Sequence, residues 1–308
     1  MQAIVYDKTQ SPRLALREVE KPVPQGSQVL VRIHAVSVNA ADYRSMQMGI
    51  IPPHKIYGAD IAGRVEAAGP LARKFQVGDE VTGEISNGGF AEYAAASEAV
   101  LARKPSGISY EAAAATPMAA LTALQALRDR GSLRPGQRVL VYGAGGGVGT
   151  FAVQIARHLG AQVTAVCGPN NVELAQSLGA HRVVDYTRAD ILRGGEQFDL
   201  ILGINGSQPL SAYRRALAQN GIFVMVGGGL GQIFQSLVFG RLLSLGSKKM
   251  RFLSARSDAS DLAWVLELIA QGQIRPVIDR CYPLRETAEA VRYAAQGHAR
   301  AKVVIQVA

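Results

Sequence analysis

A cluster of glycines at residues 143–149, in the order Gly-Ala-Gly-Gly-Gly-Val-Gly, constrains the fold of this chain more than any other feature. It directly follows an apolar run at residues 139–142, which is typical of a buried strand. After it, Ala152, Ile155 and Leu159 recur at helical spacing, and Gly160 stands where that helix would end. The pattern therefore predicts a strand, a tight glycine turn and a helix in direct succession.

This arrangement is typical of a site for the pyrophosphate of a dinucleotide. Glycines let the backbone approach the phosphates, and the first turn of the helix offers N–H groups and the positive end of its dipole. A glycine-rich turn without a ligand is the alternative, but five glycines in seven residues carry an entropic cost that packing alone does not explain. We predict that the dinucleotide contacts Gly143, Ala144, Gly146, Gly147, Val148 and Gly149.

The chain after residue 138 alternates apolar strands with amphipathic helices. Continuous apolar strands indicate a parallel sheet that is covered on both faces. Their alternation with helices predicts a doubly wound α/β domain of the Rossmann type. The predicted strands are residues 139–142, 163–166, 183–185, 200–202, 222–226 and 250–253.

About the first 115 residues follow a different pattern, with short β-type runs separated by turn glycines. After Gly272 the chain offers an extended piece, a helix and a strand, which is too little for a domain of its own. We therefore expect this tail to return to the first domain. The predicted division is a β-rich domain at residues 1–115, completed by residues 275–308, and a dinucleotide-binding domain at residues 116–274.

Composition narrows the partners and the compartment. The net charge is +9, but Lys and Arg are scattered and no nucleic-acid-binding motif is present, so no nucleic acid is expected to bind. No apolar run approaches the ~20 residues that span a bilayer, and no signal peptide is expected. Cys167 and Cys281 are too few for a disulfide framework, which favours a reducing cytoplasm.

The end of the second predicted strand bears on the choice between NAD and NADP. An NAD site usually places a carboxylate there, about 20 residues after the glycine loop, to bind the ribose 2′-hydroxyl. Here the strand runs into Cys167 and Gly168, and the first acid, Glu173, lies inside the next helix. NADP(H) is favoured because no carboxylate repels a 2′-phosphate, although no Arg or Lys stands there either. Further cofactor contacts are predicted at Cys167, Gly168, Asn171, Val226 and Gly227.

The chain also carries a series of short motifs in a fixed order. They are Ser-Val-Asn-Ala-Ala-Asp at 37–42, Gly-Ala-Asp-Ile-Ala-Gly-Arg-Val at 58–65, Val-Gly-Asp-Glu-Val at 77–81, Gly-Gly-Phe-Ala-Glu-Tyr at 88–93, Val-Asp-Tyr at 184–186 and Gly-His-Ala-Arg-Ala-Lys at 297–302. With them, the sequence resembles the zinc-free quinone oxidoreductase branch of the medium-chain dehydrogenase/reductase superfamily over essentially its whole length. The resemblance implies a GroES-like β-rich catalytic domain, completed by the tail, around a Rossmann domain. It also implies an active site in the cleft between the domains, and a homodimer.

The resemblance suggests roles for individual residues. Asn39 would hydrogen-bond the cofactor near the nicotinamide ribose and is a candidate catalytic residue. Thr122 would line the nicotinamide, and Tyr186 would pack beside the adenosine phosphate. Lys302 falls where a basic residue often reaches the pyrophosphate. The residues alone also allow plainer roles: a turn asparagine before a helix, an ordinary helix threonine and a solvated strand-edge lysine.

Zinc is not expected, because the ligand positions of zinc-dependent relatives carry Val38 and Ala59. Asp60 replaces an acid of the zinc shell and, like Glu92, is interpreted as structural. Alcohol oxidation is difficult without a Lewis acid, which leaves hydride transfer to an already electrophilic acceptor such as a lipophilic quinone or an α,β-unsaturated carbonyl compound. Tyr43 is a candidate proton donor or substrate contact, and an ordinary core tyrosine is the alternative.

Two points leave the function open. The segment at residues 227–250 begins with glycines, becomes apolar and ends with basic residues, so it could roof a pocket, touch a membrane surface or be buried at a subunit contact. The whole chain could also be a nucleotide- or nucleic-acid-binding protein with little catalysis, given its charge of +9 and the lack of an unambiguous catalytic acid. An enoyl thioester reductase is a further alternative.

Overall fold

The computed structural model describes residues 1–9, 13–206, 208–227, 246–297 and 299–307, and it divides the chain into two units. The first comprises Met1–Met118 and Ser257–Ala308, and the second comprises Ala119–Arg256. The strands are β1 (Gln2–Tyr6), β2 (Leu14–Glu18), β3 (Gln28–Val38), β4 (Asp60–Ala68), β5 (Glu80–Glu84), β6 (Tyr93–Ser97), β7 (Leu101–Arg103), β8 (Arg138–Tyr142), β9 (Gln162–Cys167), β10 (Arg182–Asp185), β11 (Phe198–Ile204), β12 (Leu217–Val226), β13 (Lys249–Leu253), β14 (Ile278–Pro283) and β15 (Lys302–Gln306). The α-helices are α1 (Ala40–Gln47), α2 (Tyr110–Ala114), α3 (Pro117–Gln125), α4 (Gly147–His158), α5 (Val172–Ser177), α6 (Leu210–Ala216), α7 (Ala259–Ala270) and α8 (Thr287–Ala295).

One long strand organises the first unit. β3 is buried along most of its length, which suits the centre of a sheet, and it pairs antiparallel with β4, β6 and β15. The order of the sheet, among the described residues, is β14-β15-β3-β4-β5-β7, with β6 also on β3. β1 and β2 form a separate antiparallel ribbon. Ile33, Ile61 and Phe90 are among the fully buried side chains of the core. The class of this unit is GroES-like, as predicted.

The C-terminal tail belongs to the first unit. β15 pairs with β3, with Val303 opposite Val38, and β14 pairs parallel to β15. α7 packs against β7, so residues 257–274 also lie in this unit. The sequence pattern predicts them in the second domain instead, because α7 continues the alternation of strands and helices. An amphipathic pattern shows that a helix covers something apolar, but it does not say which sheet.

Parallel strands form the centre of the second unit, and this confirms the predicted Rossmann-type fold. Among the described residues the order is β10-β9-β8-β11-β12-β13, and each neighbouring pair is parallel. β8, β9 and β11 are buried almost throughout, which explains their continuous apolar sequences. The order reverses between β8 and β11, and ligands of such sheets bind at the carboxyl edge beside that point.

Pro117 separates two helices. α2 ends at Ala114 and α3 begins at Pro117, where the missing N–H of proline does no harm. A short π-helix, Ala126–Arg130, continues from α3 and was not predicted. Of the segment 227–250, residues 228–245 lie outside the described residues, so its proposed roles remain predictions. Within the described part of the chain, no helix has the length and apolar character needed to cross a membrane.

Candidate functional site

Close backbone packing explains why two positions of the loop require glycine. Gly143 follows β8 with a φ of +96°, and a Cβ there would lie 2.4 Å from the carbonyl oxygen of Ile204. A Cβ on Gly149 would lie 2.2 Å from the carbonyl oxygen of Gly143. The N–H groups of Gly143 and Ala144 both donate to the Val166 carbonyl oxygen, at 3.0 and 2.9 Å. These contacts fix the tight turn that the glycine pattern predicted.

The loop leaves an open position at Gly146, the N-cap of α4. A Cβ built there finds its nearest neighbour, the carbonyl oxygen of Gly143, at 3.9 Å. The first-turn N–H groups of Gly147, Val148 and Gly149 have no acceptor within an α-helix. Together with the positive end of the helix dipole, they form a place where a phosphate is stabilised.

Asn171 supplies a polar atom without a partner beside this loop. A Cβ on Gly145 would lie 2.5 Å from Asn171 Nδ2, so the amide packs directly against the loop. Asn171 Oδ1 is buried and has no hydrogen-bond partner among the described residues. A buried amide oxygen without a donor is costly, so a ligand hydroxyl or N–H group would stabilise it there. The open position at Gly146 and this unpaired oxygen together fit a bound dinucleotide.

The ends of β9 and β10 lie at the same edge of the sheet, with Cys167 opposite Asp185. Burial raises the pKa of the Cys167 thiol to about 11, so this side chain is a neutral packing group and not a nucleophile. A Cβ on Gly168 would lie 3.1 Å from Tyr186 Oη, which places the tyrosine hydroxyl over this glycine. Tyr186 is 58% exposed, so its ring is accessible to a ligand.

Arg188 also lies at this edge and is not among the residues predicted from the sequence. Its side chain is 87% exposed, and its Nε lies 3.7 Å from Asp185 Oδ2. Asp185 already accepts hydrogen bonds from the N–H and the hydroxyl of Thr187, at 2.9 and 2.8 Å, and these bonds lower the pKa of its carboxyl. The sequence motif points to the end of β9 for the charge that selects the cofactor, whereas the pairing of β9 with β10 brings the end of β10 to the same edge. A cation is therefore present near Gly168 and Tyr186.

The other predicted cofactor residues of the second unit lie on different elements. Val226 ends β12 opposite Ile204, and its carbonyl oxygen accepts a hydrogen bond from the Asn205 N–H at 3.1 Å. Gly227 follows with a φ of +63°. Both residues lie at the carboxyl edge of the sheet, as the glycine loop does. Thr122 is a buried residue of α3.

A buried polar network lies in the first unit around Asp60. The Asp60 carboxylate accepts hydrogen bonds from Ser37 Oγ at 3.1 Å, Asn39 Nδ2 at 2.9 Å and the Met118 N–H at 3.1 Å. Lys302 Nζ lies 3.6 Å from Asp60 Oδ2 and donates to Asn39 Oδ1 at 2.6 Å. Asp60 is 0% exposed and Lys302 is 3% exposed. The Asn39 amide thus bridges a buried carboxylate and a buried ammonium.

This network bears on the alternatives for Asn39 and Lys302. Asn39 is the N-cap of α1, so it does precede a helix, but its side chain serves the network. The alternative of a solvated strand-edge lysine is wrong, because β15 has β14 on one side and β3 on the other. Their contacts with a cofactor stay predictions.

Asp42 is a second buried carboxyl group beside the network. Its oxygens accept hydrogen bonds from the backbone N–H groups of Asn39, at 2.7 Å, and Gly58, at 3.1 Å. Burial nevertheless raises the pKa of Asp42 to about 6. Burial likewise raises the pKa of Asp60 and lowers the pKa of the Lys302 ammonium, and their mutual attraction opposes both effects.

Glu84 borders a cavity of about 480 Å³ in the first unit. It ends β5 directly opposite Asp60, and burial together with repulsion by Asp60 raises the pKa of Glu84 to about 7. The sequence around Glu84 gives no sign of this property, because a carboxyl group at a strand end is usually solvated and its neighbour Asp60 is apparent only from the strand register. The cavity lining also includes Asp42, Ser45, Tyr57, Ala59, Met118 and Ser257.

Tyr43 lies away from this cavity. Ala41 and Ser45, one turn apart on α1, line the cavity, whereas Tyr43 packs against the apolar core of the unit. The structure thus favours the core tyrosine over the proton donor. Ala59 lines the cavity with a methyl group that cannot bind a metal. Across the described ranges, no group of three or more His, Cys, Asp or Glu side chains is arranged to hold a metal ion.

Comparisons with known proteins cover both units. Residues 25–106 match the alcohol dehydrogenase GroES-like domain, and residues 178–305 match a family described as zinc-binding dehydrogenase. The chloroplast envelope quinone oxidoreductase homolog of Arabidopsis thaliana is 31% identical, over 99% of this chain and 98% of that protein. The trans-enoyl reductase pgmF of Aspergillus terreus is 28% identical, over 93% of this chain and 90% of that protein. The structure of the quinone oxidoreductase from Coxiella burnetii has a TM-score of 0.89 at 26% identity, covering 100% of this chain and 99% of that one.

Proposed function

The chain belongs to the quinone oxidoreductase-like branch of the medium-chain dehydrogenase/reductase superfamily, and from this premise we propose that it transfers a hydride from NADPH to a quinone or an α,β-unsaturated carbonyl compound. The observation that carries the proposal is the open position at Gly146, in a loop whose neighbouring Gly145 packs against Asn171, the residue with the unpaired amide oxygen. Backbone N–H groups of Gly147 and Val148 would hold the pyrophosphate there. The nicotinamide supplies the hydride when it is bound, and the protein binds and orients it.

The charge at the end of β10 supports NADPH over NADH. A guanidinium binds a phosphate with two parallel hydrogen bonds, so Arg188 suits a 2′-phosphate placed beside Gly168 and Tyr186. At 3.7 Å from Asp185, Arg188 is held only loosely by its present partner. Asp185 in turn is occupied by Thr187, whereas an NADH site would present a carboxylate to the ribose.

Two apolar residues and the cavity in the first unit support an acceptor that is electrophilic before it binds. Val38 and the cavity-lining Ala59 stand where zinc-dependent relatives have ligands, and neither can hold a Lewis acid. A cavity of about 480 Å³ suits a small ring compound, and typical ligand pockets measure roughly 300–1,000 Å³. An enoyl thioester is a second candidate acceptor, which the similarity to a trans-enoyl reductase favours.

The family pattern and the sequence support further parts of the proposal. Contacts of Asn39, Thr122 and Lys302 with the cofactor rest on the family pattern. The homodimer rests on the same pattern, and the cytoplasmic location rests on the small number of cysteines, two in the whole chain. We propose no nucleic-acid partner, because the basic residues behind the net charge of +9 are scattered along the sequence.

Two measurements test the proposed function. Titration of the protein with NADPH and NADH, followed by nicotinamide fluorescence, should show tighter binding of NADPH. Oxidation of NADPH should then be followed by absorbance against a panel of quinones, alkenals, cyclic enones and enoyl thioesters, and we expect turnover with a quinone or an enone. Binding of neither nucleotide would end the cofactor proposal. Turnover confined to enoyl thioesters would replace the proposed acceptor.

A further inference from the structure

We propose that Glu84 is the general acid that protonates the acceptor as it is reduced, a role that rests on the proposed hydride transfer and assigns its proton source. Three carboxyl groups, Asp42, Asp60 and Glu84, lie close together in the first unit, and Lys302 is the ammonium that faces them. Full ionisation would leave these four groups with two excess negative charges in a buried place. Such a cluster stabilises a bound proton.

Hydrogen bonding decides which carboxyl group holds that proton. Asp60 accepts bonds from Ser37, Asn39 and Met118 and lies beside the Lys302 ammonium, so it is stabilised as the carboxylate. Asp42 accepts two backbone N–H bonds, which also favour its charged form. Within the described residues, Glu84 accepts a hydrogen bond from one group, the hydroxyl of Ser257. The proton therefore resides most readily on Glu84.

The position of Glu84 gives that proton access to a ligand. Glu84 and Ser257 both line the cavity, together with Ser45 and Tyr57. Asp60 is fully buried, is not part of the cavity lining and lies directly opposite Glu84 in the β4–β5 register. The Tyr57 hydroxyl donates to the Ile50 carbonyl oxygen at 2.8 Å, so its own proton is already used.

The chemical step needs one proton for each hydride. Hydride addition to the β-carbon of an enone breaks its carbon–carbon π bond and moves that electron pair toward the carbonyl oxygen, giving an enolate. Transfer of the Glu84 proton to that oxygen gives the neutral enol, which returns to the ketone, and leaves a carboxylate that takes a proton from water. With a quinone, the same proton neutralises the oxyanion of the hydroquinone. The acceptor gains two electrons and two hydrogens, and NADPH is oxidised to NADP⁺.

The electrostatic surroundings place the proton of Glu84 in the working range of pH. Asp60 on β4 repels the Glu84 carboxylate, while Lys302 on β15 and the Ser257 hydroxyl stabilise it. Burial is the largest effect, and the resulting pKa of about 7 lets Glu84 hold a proton and release it near neutral pH. The reaction rate should therefore fall as the pH rises through about 7 and Glu84 loses its proton.

Glu84→Gln tests the proposal, with Glu66→Gln as the matched control. Glu66 lies on β4 in an exposed ion pair with Lys21 and is not among the cavity-lining residues. Using the best acceptor of the panel, we expect E84Q to lower kcat by about 10²-fold or more and to lose the alkaline fall in rate. NADPH binding should stay intact in E84Q, and E66Q should match the wild type in kcat and pH profile.

Ser257→Ala is a second variant that leaves the carboxyl group in place. Without the hydroxyl that stabilises its carboxylate, Glu84 should lose its proton at higher pH, so the alkaline fall in rate should move upward. An E84Q protein with the wild-type kcat and pH profile overturns the proposal, and so does an S257A profile that does not move. If the wild type reduces no member of the panel, the proposed function fails and this inference fails with it. If the wild type is active, these variants test Glu84 alone.

Discussion

Gly146 and Gly149 lie in the same loop, and the structure predicts different consequences for a methyl group added to each. The backbone of Gly146, with φ of −88° and ψ of 175°, is extended, which is a conformation that alanine also adopts. The added Cβ would have its nearest neighbour at 3.9 Å. An alanine at this N-cap should therefore change the free energy of unfolding by less than about 1 kcal/mol. The methyl group instead fills the space through which the backbone would meet the pyrophosphate. We expect the Kd for NADPH to rise about 10-fold or more in Gly146→Ala, which corresponds to about 1.4 kcal/mol.

Gly149→Ala should damage the fold as well as the site. Its Cβ would lie 2.2 Å from the Gly143 carbonyl oxygen and 2.7 Å from two backbone atoms of Ala144, whereas ordinary contacts begin at 3.4 Å. Backbone atoms cannot turn aside as a flexible side chain does, so the loop must shift. Overpacking of this kind costs about 1–3 kcal/mol of stability. Binding should fall too, because the shifted loop no longer presents its N–H groups in place.

Urea unfolding followed by circular dichroism, together with nicotinamide fluorescence titration, separates these two effects. G146A should keep the wild-type unfolding midpoint and lose affinity, whereas G149A should lose both. A stable G146A that binds NADPH as well as the wild type would refute the assignment of the pyrophosphate site. A G149A protein as stable as the wild type would show that the reasoning from backbone contacts is wrong.

Further predictions concern charged residues. Arg188→Ala should raise the Kd for NADPH about 10-fold and leave NADH binding unchanged, and Arg193→Ala, at a similarly exposed arginine, is the control. An equal loss of affinity for both nucleotides would contradict a 2′-phosphate contact. Lys302→Met should lower the free energy of unfolding by about 3–5 kcal/mol, because it leaves Asp60 without its buried cation, and a loss below about 1 kcal/mol in urea would contradict this. Glu84 has a folded pKa of about 7 against 4.5 unfolded, so its stabilising contribution is present below pH 4.5 and is lost as the pH rises through about 7. In urea unfolding, E84Q should therefore match the wild type near pH 4 and exceed its stability near pH 8, and equal stability at both values would contradict the raised pKa.

The second unit could be predicted from the sequence because its signals are local. Apolar runs such as residues 139–142 indicate buried parallel strands wherever they lie. The geometry of the glycine loop can also be predicted locally, since Gly143 and Gly149 are needed for close backbone contacts within the loop and with the end of a neighbouring strand. The short length of the tail also predicts that it returns to the first unit. The tail begins at residue 257 and not at 275, because α7 packs against β7, a strand that is distant in the sequence.

The chemistry of the first unit could not be predicted in the same way. Lys302 begins a strand that reads as an edge, and only the pairing of β15 with β3 brings it to Asn39, which is 263 residues away in the sequence. Its burial in turn depends on Asp60, because an unpaired ammonium would not remain charged inside the unit. Burial raises the pKa of Glu84, and the same Asp60 carboxylate, which faces Glu84 across the β4–β5 pair, raises it further. The acid–base properties of these residues thus depend on which residues the strand register places opposite each other. The register between two strands cannot be predicted from the short sequence around either residue.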